Sequence, residues 1–135
     1  MQITIDVPHA FATDSPSLVN AGVLRALLDC LITINLAYLR DYSAPSLYRS
    51  GVVYGRTQVW DTIPALYSRG YGDCKSLTAA LVAEYLSKGV EAQPVFRSIP
   101  NKYGVRDFHI LVSTPNGFED PSKVLGMGSN EGFRR

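Results

Sequence analysis

The stretch Gly70-Tyr71-Gly72-Asp73-Cys74-Lys75-Ser76-Leu77-Thr78-Ala79-Ala80 decides how this chain is read. Gly70 and Gly72 mark a tight turn, because glycine adopts backbone angles that a side chain forbids. Asp73 follows as a helix N-cap, which makes Cys74 the first helical residue. Leu77, Ala80, Leu81, Glu84 and Tyr85 continue at helical spacing with a mainly apolar face. Gly89 stands where a helix running to Lys88 stops. A thiol at a helix start meets converging backbone N–H groups and the positive end of the helix dipole, and both favour the thiolate. This is the setting of a nucleophilic cysteine, which needs a base, an orienting acid and an oxyanion donor to do chemistry.

At 135 residues the chain is long enough for one domain with a substantial core. A single domain is expected over residues 1–125, with a flexible glycine- and serine-containing tail over 126–135. The net charge of +1, with lysines and arginines scattered, argues against nucleic acid or an anionic membrane as a partner. The only cysteines, Cys30 and Cys74, form no CxxC pair, so neither a zinc site nor a disulfide framework is expected, and no metal or other cofactor is called for. The N-terminus shows no signal-peptide pattern, which points to a cytoplasmic, reducing location. The apolar run from Val23 to Leu39 is interrupted by Arg25, Asp29 and Asn35 and reads as too polar to span a bilayer.

Outward from the cysteine turn, the elements follow from local pattern. Residues 2–7 alternate as a short strand ended by Pro8. Ser15-Pro16 starts a long helix that runs to about Arg40 and is apolar around much of its circumference, hence packed on more than one side. Cys30 within it reads as a small buried hydrophobe. Residues 41–58 are an irregular connection in which Tyr42, Tyr48 and Tyr54 either cover the core or line a cleft. Asp61 reads as the cap of a short helix from Thr62 to Ser68. Beyond Gly89, residues 90–99 form a strand whose Pro94 marks an edge or a bulge. Residues 106–114 form the clearest strand, with Phe108, Ile110 and Val112 on one side and His109, Leu111 and Ser113 on the other. Thr114-Pro115-Asn116-Gly117 turns the chain into a third strand, Phe118 to Asp120, which Pro121 ends.

Of the two histidines, His9 lies in a connection with nothing to orient it, whereas His109 sits mid-strand between apolar neighbours and needs a partner. With Pro115 and Asn116 at the turn centre, Leu111 faces Asp120. His109 shares a face with Leu111, so Asp120 is its diagonal neighbour at roughly 7–8 Å between backbones, a gap that side chains close. Cys74, His109 and Asp120 are therefore the candidate nucleophile, general base and orienting acid. The Cys74 backbone N–H is one oxyanion donor by position, and Gln58 and Trp60 are candidates for a second.

The segment from Trp60-Asp61-Thr62-Ile63-Pro64 to Gly72-Asp73-Cys74 resembles the core signature of the transglutaminase-like superfamily, closest to its bacterial cysteine-proteinase branch. Lys88-Gly89-Val90 resembles the family's stretch after the nucleophile. Phe108-His109-Ile110 is similar to its histidine strand, and Glu119-Asp120-Pro121-Ser122 to its aspartate followed by proline. The resemblance covers roughly residues 58–124. It implies an α+β, papain-like fold with the cysteine helix on an antiparallel sheet, and Cys74, His109 and Asp120 as the triad. It also implies acyl transfer at a peptide or protein amide: hydrolysis, glutamine deamidation or cross-linking. The chain departs from the bacterial branch in following the cysteine with Lys75 and Ser76. Lys75 reads as a solvent-facing residue, with electrostatic support of the thiolate as the alternative. No calcium loop is visible. Small versions of this kind resemble proteins encoded with bacteriophage structural genes. That implies a virion-associated location, a virion or host protein as partner, and a catalytically silent structural module as the alternative to an enzyme.

Overall fold

A computed structural model of the chain describes residues 17–100 and 106–128. The expected strand over 2–7, His9, the Ser15-Pro16 helix start and all but the first three residues of the 126–135 tail lie outside the described residues.

The fold is α+β, with helices gathered around a small antiparallel sheet. Helix α1, Ser17–Asp41, is followed by a single 3-10 turn, Leu47–Arg49. A short parallel pair comes next: β1, Val53–Tyr54, and β2, Tyr71–Gly72, joined through helix α2, Ile63–Arg69. Helix α3, Cys74–Ser87, leads into the antiparallel sheet of β3, Gln93–Pro100, β4, Arg106–Thr114, and β5, Gly117–Glu119. A one-turn helix α4, Pro121–Val124, follows, which the sequence pattern did not announce.

The centre of the molecule is α3. Every residue from Ser76 to Ala83 is buried. Its small side chains, Ser76, Thr78, Ala79, Ala80 and Ala83, let neighbours approach on all sides. A helix that is covered all round is the interior element of its fold. The roles expected of the two long helices are thus exchanged. Helix α1 buries Leu28, Leu31, Ile32 and Asn35, a single stripe at helical spacing, against α3. Cys30 lies off that stripe and is exposed, contrary to the buried position expected for it. By length and composition the segment Gly22–Asp41 would suffice to cross a membrane, so the three polar interruptions do not by themselves exclude a span. In this fold its apolar stripe is spent on α3.

The glycines near the cysteine act in two different ways. Gly70 caps α2 at φ +86°, the left-handed region that favours glycine. Gly72 has no such angle and is required for space: a Cβ there would lie 2.6 Å from Leu66 Cδ1 and 3.3 Å from Ser76 Cβ. Asp61 does not cap α2. Thr62 holds the N-cap position, Pro64 follows in the first turn, and the buried Asp61 pairs instead with Arg69 at the far end of the helix, at 2.6 Å.

The hairpin register places Thr114 opposite Gly117, Ser113 opposite Phe118 and Val112 opposite Glu119. The ladder groups of Val112 and Thr114 therefore point to β5, and those of His109, Leu111 and Ser113 point to β3. On β3 the same alternation turns the backbone of Pro94 away from β4, so the missing N–H of that proline falls on the outer edge of the sheet.

Candidate active site

Three chain segments bring Cys74, His109 and Asp120 into one neighbourhood. Cys74 opens α3, where Asp73 caps the helix by accepting from the Lys75 N–H at 3.2 Å. His109 is buried on β4, and its Nε2 lies 2.7 Å from Asp120 Oδ2. Asp120 stands one residue beyond β5, and its other oxygen accepts from the Lys123 N–H at 3.3 Å as the N-cap of α4. One carboxylate thus stops the strand, starts the helix and meets the imidazole. Its charge also reaches the Cys74 thiol and raises it.

Strand β5 ends at Glu119, while β4 continues past it. Ile110 has the same parity as Val112 and Thr114, so its backbone groups face the vacated edge. The cysteine helix fills that edge. The buried Thr78 Oγ1 donates to the Ile110 carbonyl at 3.1 Å, and the Ile110 N–H is directed at the Cys74 sulfur. Helix and histidine strand are therefore joined at the residue next to His109.

The connection before α2 is strapped to the first turn of α3. Ser76 Oγ accepts from the Asp61 N–H at 2.9 Å and donates to the Val59 carbonyl at 3.4 Å. Lys75 Nζ donates to the Thr57 carbonyl at 2.8 Å and to Asp73 Oδ2, and lies 5.9 Å from the centre of the Trp60 ring. Its side chain is only 13% exposed, which overturns the solvent-facing reading. Trp60 is half-buried against the core beneath this ammonium, and Gln58 is exposed on the same connection.

The electrostatics differ from those expected of a helix-start thiol. Burial pushes the Cys74 thiol up to about 11, and the Asp73 carboxylate adds to this. The Ile110 N–H and the Lys75 ammonium pull the other way and are outweighed. The side chain keeps partial exposure, but its surroundings are dense enough for desolvation to exceed the pull of the helix start. Burial also raises the carboxyl of Asp73, against the pull of Lys75.

Several residues of the site were not identified from sequence. Glu119 accepts from Tyr48 Oη and from Tyr85 Oη, each at 2.5 Å on a separate oxygen, and so fixes the end of β5 to the 3-10 turn and to α3. The only available signal for Ser76 and Thr78 was the presence of hydroxyls in a run of small apolar residues, since buried hydroxyls need partners. The tyrosine-rich connection reaches these residues only through Tyr48. Tyr42 is 63% exposed and stacks on Tyr38, Tyr48 is occupied by Glu119, and Tyr54 alone of the three packs on the core. A surface cleft of about 190 Å³ is lined by Tyr42, Pro45, Tyr67, Glu84 and Lys88. At 1.5 Å per residue, Glu84 to Lys88 lie roughly 15–20 Å along α3 from Cys74. Compared with protein-family models, curated proteins and solved structures, the chain matches none.

Proposed function

We propose that this chain is a cofactor-independent, thiol-dependent acyl-transfer enzyme of transglutaminase-like, papain-like type, acting on a peptide or protein amide. The observation that carries the reading is the His109 Nε2 to Asp120 Oδ2 contact of 2.7 Å beside a helix that opens with Cys74. With Nε2 committed to the carboxylate, Nδ1 is the ring nitrogen that exchanges a proton with the reacting groups. Burial holds the resting thiol as neutral S–H rather than as a preformed thiolate. Sulfur attacks the amide carbon as its proton passes to His109. The C–N bond then breaks and the amine leaves with that proton, giving a thioester. Water or a second amine, deprotonated by His109, releases the acyl group and returns the thiol. The Cys74 backbone N–H, at the first position of α3, faces the developing oxyanion.

The test is mass-spectrometric detection of a thioester on Cys74, with hydrolysis, ammonia release and amine incorporation followed in parallel on protein and peptide amides. Cys74→Ala is expected to abolish all three, and full turnover by that variant would remove Cys74 as nucleophile. A second reading, a catalytically silent structural module of a phage particle, draws on the elevated thiol. It predicts no Cys74-dependent turnover in any of the three assays.

A further inference from the structure

We propose that Thr78 is a positioning residue for the nucleophile: its buried hydroxyl replaces the missing strand neighbour of Ile110 and so aims the Ile110 N–H at the Cys74 sulfur. The inference deepens the acyl-transfer reading above and rests on it. In an antiparallel sheet the N–H and C=O of one residue point to the same side, and both need partners when buried. At Val112 and Thr114 that side is filled by β5. At Ile110 it is not, because Asp120 and Pro121 turn the chain into α4. Thr78 is fully buried, one turn after Cys74 on the same face of α3, and takes the carbonyl at 3.1 Å. The N–H, on the same edge, is directed at the Cys74 sulfur and favours its thiolate. The two contacts lock helix to strand so that neither can slide along the other without breaking both. The short length of β5 is then functional. A longer strand would pair with Ile110, and its amide would be lost to the thiolate. The lock also fixes the separation between the sulfur and the residue that carries the imidazole.

The test is the rate of Cys74 alkylation by iodoacetamide against pH in Thr78→Val, which keeps the shape and removes the donor. Cys30→Ala is the background, because Cys30 is exposed. Asp73, Lys75 and Asp120, the charged groups among the described residues that act on the sulfur, are left in place, as is His109 beside Asp120. Loss of one charge-assisted hydrogen bond to the thiolate is expected to move the titration up by about one pH unit and slow alkylation at pH 8 about tenfold. Thr78→Ser is expected to restore the wild-type profile. A purely structural role loosens the packing, admits water and moves the titration down. An unchanged or lowered midpoint in Thr78→Val therefore overturns the proposal. If Thr78→Val does not fold, the Ile110 amide proton of the wild type provides the measurement. It is expected to titrate with the Cys74 thiol and to lose that titration in Cys74→Ala, and a stationary signal overturns the proposal. Iodoacetamide requires no substrate recognition. Failure here therefore leaves the turnover assays to stand, and absent turnover with the expected alkylation profiles removes the catalytic reading alone.

Discussion

Replacing Asp73 with Asn separates the two jobs of this residue. As N-cap it accepts from the Lys75 N–H, and asparagine caps a helix as well as aspartate does. As a charge it opposes the Cys74 thiolate, second only to burial, while holding the Lys75 ammonium, which favours the thiolate. Asp73→Asn therefore removes the opposing charge and leaves the favouring one without its neutralising partner. At pH 8 a thiol with its pKa at about 11 is ionised in about one molecule in a thousand. A neighbouring like charge moves a pKa by about one to three pH units. The lower end applies here, because Lys75 already offsets part of the Asp73 charge. The expected result is a midpoint lowered by about one pH unit and alkylation about tenfold faster at pH 8, with helix content unchanged by circular dichroism. The assay is iodoacetamide labelling read by mass spectrometry, in a Cys30→Ala background. An unchanged or slower rate in a folded variant refutes the account, because it would mean that the Asp73 charge does not reach the sulfur.

Three further outcomes are expected. Asp120→Asn keeps an oxygen for the Lys123 N–H but weakens the hold on His109. The loss of one charge-assisted hydrogen bond, about 1.5–3 kcal/mol, lowers turnover about 10- to 150-fold with little change in Tm, and an unchanged rate would remove the orienting role. Gly72→Ala forces a Cβ against the fully buried Leu66 and is expected to cost about 1–3 kcal/mol, read as a lowered urea midpoint, with wild-type stability counting against close packing at this turn. The third outcome concerns alkaline pH. The Cys74 thiol lies at about 11 in the fold against an ordinary 9.0, and Tyr85, held up by Glu119, lies at about 12 against 10.0. The folded chain keeps protons that the unfolded chain gives up, so this stabilisation is complete below pH 9 and is lost as pH rises towards 12. Urea unfolding at pH 8 and pH 10.5 is expected to show the fall, with a shallower slope in Cys74→Ala. Equal slopes in the two proteins would show that the thiol proton is not linked to folding.

The local signals that were legible are those whose outcome depends on residues close in the chain. Asp73 at the N-cap, Gly70 and Gly89 in left-handed conformations after their helices, and the Thr114–Gly117 turn all follow from the geometry of a few consecutive residues. The turn in turn sets the register that brings Asp120 diagonally to His109, which is why a contact between residues eleven apart could be read from the sequence. Pro94 on an outer strand is of the same kind.

Burial was not legible in this way, because it depends on which distant segments cover a residue. The periodicity of α1 shows an apolar circumference but does not say which part meets α3, and so Cys30 faces outward. The alanines of α3 carry a weak hydrophobic signal, yet their small size makes this the helix that others surround. Lys75 reads as a surface residue until the 57–60 connection folds over it. The Cys74 thiol shows the same division most clearly. The sequence by itself determined that it opens a helix, whose dipole and free N–H groups favour the thiolate. Only the tertiary structure decided that desolvation and the Asp73 carboxylate outweigh them, because dielectric surroundings and charge separations exist only once the chain has packed.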